Sequence, residues 1–352
     1  MKKVEKYLTE IFNKNKIAGM SVAVTDRQKT LGVFNFGVES SLTNNSITND
    51  SRFRIASITK VVLGLTTMRL VEQGKLSLND GVGKYLKWLN PTLGALTLNS
   101  LLSHTAGLPR EYNLDGPRDE SLLEQSLTSE LSEIDMEKIG NGSPYLYSNL
   151  GIRLASLIIE KVTNKPFSLA SKELVLKPLK MEKTFYSLDK ALTLPLSLPH
   201  AKDGDKLTPV PMWENAVRLG AGGLFSTGSD LCKLARFMLN YGVNDDKERL
   251  LDNKTIENMT SPKTPNGKGD YYGLTQMLHT YKNRLLGGHL GSAPPYCANL
   301  VTDFESGYGV AVLINTEDCE HLRYEITDAV LDLLIYNKGD NYAKEKSGAY
   351  RP

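Results

Sequence analysis

No stretch of this 352-residue sequence reaches the roughly 18 apolar residues that a membrane-spanning helix needs, so no transmembrane segment is expected. Charge of one sign is also lacking: 42 Lys and Arg stand against 40 Asp and Glu, a formal balance of +2. Without a basic excess, neither nucleic acid nor an anionic membrane is implied as a partner. Cysteine is scarce, and the three present, Cys232, Cys297 and Cys319, form no CxxC pair. That excludes a disulfide framework and fits reduced, buried thiols. His200, His279 and His321 do not have metal-ligand spacing, so no metal and no cofactor are expected. GxSxG, HExxH and Walker-type motifs are missing, as are internal repeats and low-complexity linkers.

What is present is enough apolar sequence, 40% of the chain, to bury a large core in one domain or two lobes. The N-terminus begins with basic residues, but Glu5 and Glu10 interrupt what a signal peptide would keep apolar. Val4, Leu8, Ile11 and Phe12 instead share one face of a helix. As written, the chain is expected in the cytoplasm, an expectation that a preceding leader would change. Residues 20–25 and 31–37 read as a hairpin turning at Asp26-Arg27-Gln28. A helix is expected over 57–73 with Gly74 as its stop, and others over 150–162, 230–239 and 322–336. Residues 76–251 look mostly helical with long loops, and strands are expected over 273–281, 284–289, 298–303 and 308–315. Strands at both ends with helices between them predict an α+β architecture: one sheet assembled from the two termini, with a mainly helical lobe inserted.

Ser57-Ile58-Thr59-Lys60 opens the first long helix and carries a hydroxyl and an amine one turn apart on one face. A serine hydroxyl is a poor nucleophile at neutral pH unless a neighbouring base takes its proton. The same four-residue pattern recurs at Ser187 to Lys190, where Pro195 and Pro199 follow and argue against a helix. Tyr147-Ser148-Asn149 begins another helix and can aim a phenol and a carboxamide into one cleft. Gly288-His289-Leu290-Gly291-Ser292 ends a strand with glycines that let a substrate backbone approach. Tyr281-Lys282-Asn283 and Lys346-Ser347-Gly348 imitate these motifs, but lie in a turn and in the polar tail. His104 reads as a buried, hydrogen-bonded residue.

Taken together, these motifs resemble the serine β-lactamase and penicillin-binding protein superfamily, in the branch of class C β-lactamases, DD-peptidases, D-aminopeptidases and family VIII carboxylesterases. FRIASITK (53–60), LVEQGKLSLNDGVGKYL (70–86), LLSHTAGLP (101–109), AGGLFSTGSDL (221–231) and the region 289–315 carry the likeness in order. The resemblance implies a β-lactamase/transpeptidase-like fold over 1–340, an α/β lobe of about 1–56 and 265–340 and a helical lobe of about 57–264, followed by a polar tail, 341–352. It implies Ser57 as the acylated nucleophile, Lys60 as the amine that shares a proton with Tyr147, and Tyr147 as general acid and base. Asn149 would hold the substrate amide, Ser57 and Ser292 would supply oxyanion N–H groups, and His289 and Gly291 would line the pocket. The implied activity is hydrolysis of a small amide, short peptide or ester, with D-configured residues among the candidates. A class C-like β-lactamase, a DD-carboxypeptidase and an acylated, non-turning-over penicillin sensor are the alternatives. Histidine at 289, where a lysine would give fixed positive charge suited to a substrate carboxylate, weakens the case for a potent β-lactamase and favours DD-peptidase, D-aminopeptidase or esterase-like substrates. Oligomeric state stays open.

Overall fold

The computed structural model describes residues 1–336 apart from 111–115, 136–138, 140–143, 205 and 268. The tail over 341–352, with Lys346-Ser347-Gly348, lies outside the described residues.

Helix α1 (Lys2–Lys14) leads into β1 (Gly19–Thr25) and β2 (Thr30–Gly37). The hairpin turn forms because the Asp26 carboxylate accepts the Gln28 and Lys29 N–H groups at 2.7 and 2.8 Å. After the two-residue strand β3 (Phe53–Arg54) the chain enters the helical region, beginning with α2 (Thr59–Glu72), then α3 (Pro91–Gly94), α4 (Leu98–Leu102) and α5 (Leu123–Ser132). Next come α6 (Asn149–Thr163), α7 (Phe167–Ser171), α8 (Leu188–Leu192), the small hairpin β4 (His200–Asp203) and β5 (Lys206–Pro209), and α9 (Leu219–Gly222). Strand β6 (Phe225–Ser226) and helices α10 (Gly228–Leu239) and α11 (Asn253–Thr260) complete this region. The chain then returns through β7 (Thr264–Pro265), β8 (Tyr271–Tyr272), β9 (Met277–Tyr281), β10 (Arg284–Ala293), β11 (Tyr296–Asp303), β12 (Tyr308–Ile314) and α12 (Glu320–Ile335).

The main sheet has eight antiparallel strands in the order β2-β1-β12-β11-β10-β9-β8-β7. N- and C-terminal strands meet where β1 pairs with β12, Met20 opposite Ile314 and Thr25 opposite Gly309. Side chains alternate across these strands. Met20, Val22, Val24, Val310, Val312 and Ile314 pack with α1 and α12 on one face, while Ala23, Ala311 and Leu313 join the larger core under the helices. Helix α2 lies at the centre of that core, buried nearly all round from Thr59 to Leu70, as expected of a helix apolar on every face. Among the described residues no helix is long and apolar enough to cross a membrane.

Several expectations are corrected. Residues 76–251 are mostly helical as expected, but they also hold short strands: β4 pairs with β5, and β6 pairs with β3, Phe53 opposite Ser226, because these segments satisfy each other's backbone groups. The strand carrying His289 does not end there but runs to Ala293, since β11 continues to pair with it. The second Ser-x-x-Lys segment is helical: Ser187 caps α8 by accepting the Lys190 N–H at 3.1 Å, and Pro195 and Pro199 fall beyond the helix.

Asp230, 1% exposed in the first turn of α10, ties this helix to the preceding lobe. It accepts the Lys183 N–H at 2.8 Å and the Thr184 hydroxyl at 2.9 Å, and pairs with Lys233 at 2.9 Å. Removing an acceptor that holds three buried or half-buried donors leaves them unsatisfied. Asp230→Ala is expected to lower unfolding free energy by about 2–4 kcal/mol in urea titrations, and a change within about 0.5 kcal/mol would show that the link carries no weight.

Candidate active site

The chain reaches Ser57 through a single 3₁₀ turn, Ala56–Ile58, at the start of α2. Ala56 takes φ +46°, a left-handed conformation that costs a non-glycine residue about 1–2 kcal/mol, so neighbours must hold it. Thr59 does so, donating its hydroxyl to the Ala56 carbonyl at 2.6 Å while accepting the Leu224 N–H at 3.2 Å. Ile55 N–H in turn donates to the Leu224 carbonyl at 3.0 Å. From the other side β10 presses close: a Cβ on Gly291 would lie 2.3 Å from the Ile55 carbonyl oxygen, so only glycine fits. Strand β9 pairs with β10 only as far as Gly288. The stretch from His289 to Ala293 therefore extends past its β9 partner toward the Ser57 turn, with Ser292 exposed.

Lys60 is fully buried, 0% exposed, in the first turn of α2. Its Nζ donates to Ser57 Oγ at 3.1 Å and to the Ala221 carbonyl in α9 at 2.6 Å. The same nitrogen lies 5.0 Å from the centre of the Tyr147 ring. The Ser57 side chain lies near enough to the Tyr147 phenol to pull its pKa down. With Lys60 donating to Oγ, the serine's own proton is left to turn toward the phenol oxygen. One hydroxyl thus stands between one amine and one phenol.

Tyr147 is held by the backbone on either side of it. Leu146 N–H donates to the His104 carbonyl at 2.8 Å, and Ser148 N–H donates to His104 Nδ1 at 3.1 Å. His104 adopts φ +59°, is 1% exposed, and places its ring 4.3 Å from that of Tyr147. Ser148 caps α6, accepting the Gly151 N–H at 3.1 Å and donating to the Pro109 carbonyl at 2.9 Å. Asn149 is the first residue of α6 and is buried beside this cap. Burial pushes the Tyr147 phenol up to about 12, while the Ser57 hydrogen bond and then Arg110 and Arg218 pull it down.

His289, 2% exposed, is clamped in one tautomer. The Leu290 carbonyl, 2.6 Å from Nδ1, can only accept, so Nδ1 carries the proton. Nε2 then accepts the Tyr272 hydroxyl at 3.0 Å. Burial, with Lys60 and Arg323 adding to it, drops the imidazole to about 3. Position 289 therefore presents no charge. His104 is likewise held well below its usual range by burial, then by Lys60, His289 and Arg110.

The structure brings Ser57, Lys60, Tyr147, Asn149, His289, Gly291 and Ser292 to one seam between the sheet and the helical lobe. It does not bring the duplicate there: Ser187 and Lys190 line a separate groove of about 660 Å³, with Lys190 Nζ 4.5 Å above the Phe185 ring. Tyr281 donates to Asp332 at 2.8 Å, and Lys282 and Asn283 take positive φ in the β9–β10 turn, as expected. Sequence reasoning missed Tyr272, Arg110, Arg218 and the Ala221 carbonyl. Arg110 directly follows LLSHTAGLP and Ala221 opens AGGLFSTGSDL, so adjacency to quoted motifs was a signal for both. For Tyr272, which reaches the site only through sheet register, there was none.

A serine hydroxyl wedged between an amine and a phenol at such a seam is the arrangement of the active-site serine hydrolases. The chain belongs to the beta-lactamase family, whose model, described as Beta-lactamase, matches residues 4–334. Beta-lactamase-like protein 2 of Dictyostelium discoideum is 30% identical over 284 residues, 76% of this chain and 50% of that protein. The teichoic acid D-alanine hydrolase of Staphylococcus aureus is 25% identical over 342 residues, 97% of this chain and 79% of that protein. Among solved structures, the octameric penicillin-binding protein homologue from Pyrococcus abyssi superposes with a TM-score of 0.82 at 25% identity, covering 97% of this chain and 78% of that one. The chain spans 50%, 56% and 63% of the length of three of the curated relatives it matches.

A histidine whose folded-state value lies below its unfolded one, ordinarily 6.5, contributes stability above that unfolded value and loses it as pH falls toward the folded one. His289 should therefore show no imidazole titration between about pH 5 and 8 in NMR spectra, and should report the Nδ1–H tautomer. A titration midpoint near neutrality would contradict the Tyr272 clamp.

Proposed function

We propose that the protein is a serine hydrolase that cleaves a small amide, short peptide or ester through an acyl-enzyme on Ser57. The observation that carries this reading is the Ser57 hydroxyl, 3.1 Å from Lys60 Nζ, the same nitrogen lying 5.0 Å from the centre of the Tyr147 ring. In the forward step Ser57 Oγ bonds to the substrate carbonyl carbon as its proton passes to the Tyr147 oxygen. The resulting oxyanion sits against the N–H groups of Ser57 and Ser292, each such donor contributing on the order of 3 kcal/mol to the transition state. Collapse expels the leaving group, which takes the proton from Tyr147. Water then attacks the acyl carbon, again giving its proton to Tyr147, and Ser57 Oγ is expelled as it takes that proton back. Lys60 keeps Oγ oriented and favours the phenolate, while Asn149 holds the substrate amide.

Substrate choice follows from the sheet side of the pocket. A neutral, buried His289 places no cation at that position of β10 for a leaving-group carboxylate, which speaks against DD-carboxypeptidase and β-lactamase substrates. It suits an uncharged amide or an ester, and one relative is named a teichoic acid D-alanine hydrolase. D-alanyl amides and esters are accordingly the first compounds to try.

Mass spectrometry of the protein mixed with a p-nitrophenyl ester, a D-alanine amide, a D-Ala-D-Ala peptide and a penicillin tests the reading. Ser57→Ala should abolish covalent labelling and turnover, while Ser187→Ala should leave both intact; labelling that survives Ser57→Ala sinks the assignment. A stable adduct without release from any compound would point to a sensor instead. His289→Lys should shift relative turnover toward the D-Ala-D-Ala peptide, and unchanged selectivity would show that position 289 does not read charge.

A further inference from the structure

The phenol of Tyr147 is surrounded by an uneven set of groups. From the sheet come His289 in β10 and Tyr272 in β8, with ring centres 6.1 and 6.3 Å away. His104 lies below and Tyr145 precedes it in the same segment. None of these four supplies positive charge: both imidazoles are held neutral, and burial pushes both tyrosines above the usual phenol range. Among the described residues, the cations acting on the Tyr147 phenol come from the helical side, Lys60, Arg218 and Arg110, while Arg323 in α12 acts on His289 and donates to the Gly291 carbonyl. The Arg110 guanidinium carbon is 5.2 Å from the centre of the Tyr147 ring, almost the distance of Lys60 Nζ at 5.0 Å. Lys60 is committed to Ser57 and to the Ala221 carbonyl. Arg110 is exposed, and it approaches the ring itself.

We propose that Arg110 is a positioning residue that acts through Tyr147, favouring the phenolate that takes the Ser57 proton and supplying from the exposed side the charge that His289 does not. The inference rests on the reading of Tyr147 as the general base. As the proton moves from Ser57 Oγ to the phenolate oxygen, negative charge leaves the ring and appears on the substrate oxyanion. Arg110 stabilises the state before that transfer, when the charge is on the tyrosine. A cation this close to a ring with one solvent-facing side shifts the phenol equilibrium by an amount that salt partly screens.

The test measures the rate of Ser57 acylation by an uncharged p-nitrophenyl ester, followed by the burst of p-nitrophenol and by mass, from about pH 6 to 10. In Arg110→Gln the rising limb of the profile should move toward alkali by about one unit, which is about tenfold slower acylation at a given pH on that limb. Arg110→Lys should recover most of the rate, because it keeps the charge. Added salt should slow the wild type and leave Arg110→Gln nearly unchanged. An uncharged ester removes any role of Arg110 in gripping a substrate anion. A structural role would lower both variants at every pH and at every salt concentration. Equal rates in Arg110→Gln and wild type, no recovery in Arg110→Lys, or the same salt response in both would overturn the inference. Should Arg110→Gln not fold, as read by circular dichroism, the lysine variant and the salt series on the wild type decide it. If the wild type carries no label on Ser57, the general-base reading and this inference fall together; if it is labelled and Arg110→Gln matches it, only this inference falls.

Discussion

Burying the ammonium of Lys60 is the constraint to which the rest of the site answers. A lysine with no exposed surface needs its donors satisfied in place, and here a carbonyl from α9, the Ser57 hydroxyl and the face of the Tyr147 ring surround it. Those partners lie far apart in the chain, so the amine joins α2, α9 and the turn before α6 in one contact. Its charge also explains the histidines. Lys60 adds to burial in holding both His104 and His289 neutral, and a neutral ring can be clamped by a single donor and a single acceptor.

Around that contact the backbone is held rather than relaxed. Ala56 and His104 both take left-handed conformations, one just before the serine and the other beneath the tyrosine. Each is braced by hydrogen bonds to distant segments: Ala56 through Thr59 and Leu224, His104 through Leu146 and Ser148. Strain of this kind persists only where surrounding structure over-determines it. Its effect is to fix the hydroxyl and phenol before any substrate arrives, which limits the reorganisation left for the chemical step. Sheet and site are coupled in the same way, because the β10 strand can approach the Ser57 turn only through a glycine at 291.

The elements that were legible in the sequence are those whose pattern is local. The N-terminal hairpin, the helix after Ser57, the α6 and α10 helices and the apolar β12 strand follow from period, caps and turn residues, and the structure differs from expectation at their ends by only a few residues. The reading failed where a short segment's partner lies elsewhere. Strands β3 and β6 have two residues each and exist only because they pair with one another. The last residues of β10 read as the end of a strand until β11 is laid beside them. Pro195 and Pro199 argue against a helix only where it would run into them, and α8 ends at Leu192.

By itself the sequence determined which residue types could carry this chemistry: Ser57 with Lys60 one helical turn away, a Tyr-x-Asn turn at 147, and a His-x-Gly stretch at 289 in place of a lysine. Those are local facts of spacing, and they are enough to single out a family. Only the tertiary structure decided that the second Ser-x-x-Lys is a helix cap, that burial removes His289 from the charge balance, and that Arg110 faces the Tyr147 ring. The last two depend on contacts between segments distant in sequence, and on burial, which sets the charge of a titratable group only once the chain around it has closed.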